Sequence, residues 1–345
     1  MAGAESTKAT AWALFDRIVS EAAPEGRHTN PWRADEPDRG PVYVPDFPVL
    51  QKLLGVPLYL HAGSHTGVPA LALDVWLAYE LRRAGFDHDA VWPRASDPRI
   101  MPRAVAALLD GLPRREREAL LRRLTGRAAV RGVVGSAANV LGKNYVKQVD
   151  VVISDWDTGP ELLISTKRMD SSFGKNAANR VEESYGDAKN LRLRHPLAAL
   201  GFVYGLRSTI LETEPNKAEW LIDLLEKLGN EDDAYHAVAL VMLDYTAPAG
   251  TESETDGDDD GDDPFAAAGL SPTQFGVESG MLDFTGIGDA LESLPEVRLR
   301  HDTVPPPLQP AGFLAAMVTR VLAATPVNRH REVRARRKNP TAPGR

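Results

Sequence analysis

The sequence predicts a mixed α/β fold, with a central sheet set among helices. Three observations predict it. Residues 148–154 (QVDVVIS) and 161–166 (ELLIST) are short runs rich in Val, Ile, Leu and Thr, separated by Asp157, Thr158, Gly159 and Pro160, a strong turn sequence. Residues 198–206 (AALGFVYGL) and 236–245 (HAVALVMLDY) are two more apolar runs of strand length. The segments between these runs carry helical spacing, so the middle of the chain reads strand, strand, helix, strand, helix, strand.

In chain order, residues 8–22 place Trp12, Leu14, Phe15, Ile18 and Val19 at helical intervals. Residues 24–48 are rich in Pro and charge and read as irregular. Helices follow near 70–83, 102–112 and 114–124, with Pro102 and Pro113 at first-turn or boundary positions. They complete an N-terminal helical region, 1–132. The first two strands form an antiparallel hairpin. The helix at 176–194 has a stripe at Ala177, Val181, Ser184, Tyr185, Ala188 and Leu191, and Pro196 stops it. Another helix spans 214–228. The α/β core thus occupies 133–250. An acidic linker at 251–263 leads to a C-terminal segment, 264–345, with a closing helix at 310–324 and a basic tail. No repeat of fixed period is present.

Composition narrows the function classes. The chain has 345 residues, no Cys and 43% apolar residues. Disulfides, thiolate zinc sites and Cys nucleophiles are excluded. The apolar runs fall short of the roughly 18 residues of a membrane helix. The N-terminus carries Glu5 early and lacks a basic segment before its apolar part, so a cytoplasmic protein is expected. The formal charge of −8 at first argues against a polyanionic partner. All of it, however, resides in 251–263 (TESETDGDDDGDD), and the remainder is neutral. That run reads as a solvated linker, or as a mobile DNA mimic. The 329–338 stretch (RHREVRARRK) reads as a solvated tail or a polyanion contact. The Arg-rich stretch 94–131 reads as a solvated helical face or a second phosphate-contacting surface.

One constellation can carry chemistry. Asp150 lies on the first central strand, and Ser165, Thr166 and Lys167 end the second. In a hairpin, Asp150 and Lys167 come to one sheet edge, and Ser165 and Lys167 share a face. The next helix offers Glu182 and Glu183, between which helical spacing does not choose, although Glu182 shares an edge with Ala178 and Tyr185. Carboxylates and a lysine at one edge suit phosphodiester hydrolysis. The acids hold a divalent cation and the lysine orients water or offsets charge on phosphorus.

The αβββαβ order, with Asp150 on one strand and Lys167 at the end of the next, resembles the PD-(D/E)xK nuclease superfamily of restriction endonucleases. The resemblance covers about 139–245. It departs at Ser165, which stands where the family usually has an acid. The sequence is similar there to the subgroup that cuts CCGG-type sites, which has S-x-K and draws a carboxylate from the following helix. The resemblance implies a restriction-endonuclease-like sheet and a type II restriction-like endonuclease using Mg²⁺. Asp150 and Glu182 or Glu183 are the implied metal ligands, Lys167 positions the water, and Ser165 hydrogen-bonds a metal-bound water. It also implies double-stranded DNA as partner, a homodimer and a companion DNA methyltransferase.

DNA contacts are expected nearby, since 167–207 holds eight basic residues against four acids. Arg168, Asp170, Ser171, Ser172, Lys175 and Arg180 are the candidates for base or phosphate contact. Three other functions remain open: a modification-dependent defence nuclease, a degenerate nuclease fold that binds DNA or protein, and an unrelated α/β protein. Other signals fall away. His61 and His65 flank a helix-weakening Gly63 and have no third ligand. Residues 135–144 (GSAANVLGKN) have six residues between their glycines and Asn144 after Lys143, which rejects a phosphate loop of the nucleotide-binding kind. The pair Gly286 and Gly288 is a turn signal alone.

Overall fold

The structure is a computed structural model that describes residues 2–35, 40–125, 134–135, 137–171, 173–246 and 286–341. The side chains of residues 2–6, 125 and 174–179 are outside that description. The acidic run 251–263 also lies outside it.

The N-terminal part comprises α1 (Ala2–Ala22), β1 (Trp32–Arg33), β2 (Val42–Tyr43), α2 (Phe47–Tyr59), α3 (Val68–Ala84), β3 (Val91–Trp92), α4 (Arg103–Asp110) and α5 (Arg114–Thr125). The middle follows as β4 (Ala138–Leu141), β5 (Val146–Val149), β6 (Val151–Asp155), β7 (Gly159–Met169), α6 (Phe173–Arg192), β8 (Ala199–Arg207), α7 (Ile210–Thr213), α8 (Pro215–Asn230) and β9 (Ala237–Asp244). The last elements are α9 (Ile287–Glu292), β10 (Arg298–Leu299), α10 (Pro310–Ala324) and α11 (Arg331–Lys338).

The mixed α/β class expected from sequence is the class observed. Six strands form one mixed sheet in the order β10-β9-β8-β7-β6-β3. The hairpin β6–β7 is antiparallel, whereas β7–β8 and β8–β9 are parallel, each pair connected by a helical crossover. Alternation along the strands splits the core in two. Val151, Ile153, Leu162, Ile164, Val203 and Val241 face α1, α2, α3 and α10. Val152, Leu163, Phe202, Tyr204, Leu206 and Leu240 face α6 and α8. The first cluster draws on residues 11–91, the sheet and 290–333, so the expected boundaries near 132 and 250 do not part the core.

Two glycines on β8 set how closely helices approach the first face. A Cβ on Gly201 would lie 2.7 Å from Phe313 of α10, and one on Gly205 would lie 3.0 Å from Leu73 of α3. The bare backbone lets both helices sit tight against the strand. That close approach brings Asp74, next to Leu73, down to the sheet.

Sequence periodicity missed α2, which has seven buried residues, including Pro57, among its thirteen. A helix buried on most sides has no clean polar face to set its period. The 24–48 segment, expected to be irregular, holds β1, β2 and the start of α2. The basic tail is not a free tail. It forms α11, whose Val333 is fully buried, while Arg334 Nη2 donates to the Leu322 and Thr325 carbonyls at the end of α10 (2.9 and 3.0 Å). Arg336 Nη1 donates to Arg83 O at 2.7 Å. Among the described residues, no helix is long and apolar enough to cross a membrane.

Candidate active site

The site forms where β6 stops and β7 continues. The last β6–β7 pair at this end is Val151 with Ile164. Beyond it the Thr166 amide has no β6 carbonyl to meet. The Asp150 carboxylate takes that place, accepting from Thr166 N at 2.7 Å. The Thr166 hydroxyl donates to Asp74 Oδ1 at 2.6 Å. Two carboxylates from distant parts of the chain therefore converge on one residue, one on its amide and one on its side chain. Asp74 and Thr166 are buried, and Asp150 is half-buried.

The electrostatics follow from that crowding. Burial raises the Asp74 carboxyl well above the usual carboxylate range, and the neighbouring charge of Asp150 raises it further, against the opposing Thr166 hydrogen bond and, least, the charge of Lys8. Asp74 makes no ion pair among the described residues.

Ser165 and Lys167 leave β7 on the opposite face, with Leu163 and Met169, towards α6 and α8. Ser165 is buried and hydrogen-bonds the Tyr235 hydroxyl, which donates to Ser184 O at 2.9 Å. Close by, Asp187 of α6 receives Lys147 at 3.0 Å and the Tyr145 hydroxyl at 2.8 Å. This brace ties β5, which leads into Asp150, to α6. Lys167 is half-buried, and its ammonium has no hydrogen bond or ion pair among the described residues. Its Cα is about 3.8 Å from that of Thr166, as for any adjacent pair.

The structure thus brings Asp150 to the end of β7, whereas the Lys167 side chain leaves the strand on the face opposite Asp74 and makes no hydrogen bond or ion pair among the described residues. The second carboxylate at Asp150 is Asp74, from α3. Glu182 and Glu183 are exposed on α6, off its buried stripe of Val181, Ser184, Ala188 and Leu191, and neither forms an ion pair or hydrogen bond among the described side chains. Sequence reasoning missed Asp74. Its one signal was an acid alone in the apolar run ALALDVWLAY.

The loop expected to touch DNA is partly internal. The Arg168 side chain is 4% exposed, locked to Asp170 at 2.9 Å and to Pro69 O at 3.3 Å. It is a strut between the end of β7 and the start of α3, because an arginine at that strand parity points under α3 rather than outward. Asp170 is likewise engaged, receiving Arg168 and the Tyr245 hydroxyl, whose own pKa burial pushes up to about 12. Arg180 Nη1 reaches Arg168 O at 3.5 Å, and Ser171 is half-buried. Ser172 and the Lys175 side chain lie outside the described residues.

One other group has metal-like spacing, namely Asp87, His88 and Asp89. Asp89 is already bound by Arg94 at 2.6 Å, and Asp87 by Arg103 at 2.9 Å. Both acids are spent on holding the turn after α3. His61 and His65 are exposed. Set against known protein families, curated proteins and solved structures, the chain matches none of them.

Proposed function

We propose that the protein is a Mg²⁺-dependent endonuclease of restriction type that hydrolyses phosphodiester bonds in duplex DNA inside the cell. The carrying observation is the convergence of Asp74 and Asp150 on Thr166, immediately before Lys167. Two carboxylates with hard oxygen donors fit Mg²⁺. The crowding that raises the Asp74 carboxyl also fits a site that gains by taking up a cation. When bound, Mg²⁺ would polarise the phosphate and acidify a water.

The chain's own residues have distinct tasks in this reading. Asp74 and Asp150 hold the ion, and Thr166 fixes the orientation of both carboxylates. Lys167 donates to the attacking water or to a phosphate oxygen, where its charge offsets the charge that builds in the transition state. Ser165 is a positioning residue, tied to Tyr235 so that the end of β7 stays in place. The second carboxylate comes from α3, and Glu182 and Glu183 are solvent-facing residues of α6. A homodimer acting on palindromic sites and a companion methyltransferase belong to the same proposal.

In this reading Ser165 need not mark a lost acid, because Asp74 would supply one, whereas the degenerate-fold alternative has no metal site. Digestion of plasmids with Mg²⁺ and with EDTA tests the reading, on both modified and unmodified DNA. Cleavage that needs Mg²⁺ and vanishes in Lys167→Ala, with duplex binding retained, supports it. Absence of nicking on every DNA, or a Lys167→Ala variant that cuts like wild type, overturns it. Cutting confined to modified DNA identifies a modification-dependent nuclease instead.

A further inference from the structure

The hairpin of α4 and α5 is built unlike the rest of the molecule. It packs on a small satellite cluster of Met101, Ala106, Leu109 and Leu124, separate from both main cores. Within α5, Leu124 is buried and Leu121 half-buried, whereas Arg114, Arg115, Arg122 and Arg123 are exposed. So little burial does not explain a helix that concentrates five arginines against Glu116 and Glu118.

The arginines are sorted by face. Arg114 pairs with Glu118 at 2.8 Å, and Arg117 with Asp110 at 3.6 Å. Arg115, Arg122 and Arg123 form no ion pair among the described residues. At about 100° per residue, these three and Ala119 fall within an arc of about 100°, opposite the direction of Leu121 and Leu124. The unpaired cations therefore form one outward stripe with a small residue at its centre. It extends about 12 Å along the helix, while duplex DNA offers a phosphate about every 3.4 Å per strand. The hairpin is firmly mounted. Arg103, at the start of α4, pairs with Asp155 of β6 and with Asp87, each at 2.9 Å.

We propose that this face of α5 is a phosphate-contacting surface for duplex DNA, with Arg115, Arg122 and Arg123 as the contacting side chains. The proposal rests on the nuclease reading for its partner. It adds a surface outside the candidate active site, carried on the strand that Asp150 precedes.

The test compares full-length Lys167→Ala protein with the same protein carrying Arg115→Ala, Arg122→Ala and Arg123→Ala. Binding to a fluorescent duplex is followed by anisotropy across a salt series with Mg²⁺ present. Each phosphate contact contributes about 0.9 to the slope of log affinity against log salt, so the slope should lose about 2.7. With a shared intercept at 1 M, that is about a 500-fold loss at 0.1 M salt. Replacing the three arginines by lysine should restore most of the slope, since phosphate contacts need charge more than a bidentate fork. Matching circular dichroism spectra check that the exposed substitutions leave the fold intact. If the parent binds duplex and the alanine variant keeps its slope, this proposal fails while the nuclease reading stands. If the slope drops but wild type never nicks DNA, the surface stands and the nuclease reading fails. If the parent does not bind duplex at all, both fail.

Discussion

Replacing Asp74 by Asn separates the cost of this carboxylate from its use. The substitution is nearly isosteric, and its amide oxygen can still accept the Thr166 hydroxyl that Asp74 receives at 2.6 Å. It removes only the titratable charge. Burial and the Asp150 charge raise the folded pKa of Asp74 above its ordinary 3.8. Between those two values the folded chain binds more protons than the unfolded chain, so wild-type stability falls as pH rises from about 4, and levels off above the folded pKa. One group sets the limiting slope, about 1.4 kcal/mol per pH unit. The stability difference, Asn variant minus wild type, should therefore climb with pH at up to that slope. Urea unfolding at successive pH values from 4 to 8, without metal, measures it. Mg²⁺ should narrow the difference: at ten times its dissociation constant it stabilises wild type by about 1.4 kcal/mol and the Asn variant by little. The same variant should lose Mg²⁺-dependent cleavage. Parallel pH profiles would refute the strained ionisation. Equal stabilisation by Mg²⁺, or intact cleavage, would refute the ligand role.

Two structural predictions stand apart from the chemistry. The Arg83–Glu80 pair is buried on both sides, at 2.8 Å, so Arg83→Ala strands a carboxylate and should cost about 3–5 kcal/mol in urea unfolding. Adding Glu80→Gln should recover part of that loss. On β8, Gly201→Ala pushes a methyl within 2.7 Å of the Phe313 ring and should cost about 1–3 kcal/mol, seen as a lower Tm. Combining it with Phe313→Leu should cost less than the sum of the two changes. Additive costs would show that the clash relaxes elsewhere.

The parts legible in the sequence were those whose side chains alternate or recur. The hairpin around Gly159, the strands β8 and β9, and the helices α3, α6, α8 and α10 each carry a period or a turn of their own. Elements without one stayed hidden. β3 and β10 have two residues apiece, too few to show alternation. α11 is so rich in arginine that its single buried contact, Val333, leaves no stripe, and its docking comes from Arg334 and Arg336 on carbonyls of other elements. The candidate site divides the same way. Asp150 and the end of β7 were legible because a hairpin makes them neighbours. Asp74 lies 92 residues from Thr166, and only the tertiary packing of α3 over Gly205 joins them.

α3 supplies its own control for the role of Asp74. It carries two buried acids six residues apart, on one helix and in one core. Glu80 is fully provided for, with Arg83 at 2.8 Å, the Tyr43 hydroxyl at 3.0 Å and the Asp46 amide at 2.7 Å. That arrangement is what structural burial of a carboxylate requires. Asp74 has a hydroxyl and a second anion instead, with the charge of Lys8 as the smallest of the effects on it. An acid in that position subtracts from stability, and Asn would satisfy the same hydroxyl without the charge. Packing therefore accounts for Glu80 and leaves the choice of Asp over Asn at 74 unexplained. The two acids diverge at the end of β7, where Asp150 also lies. The proposed role, holding a cation, would account for the difference between them.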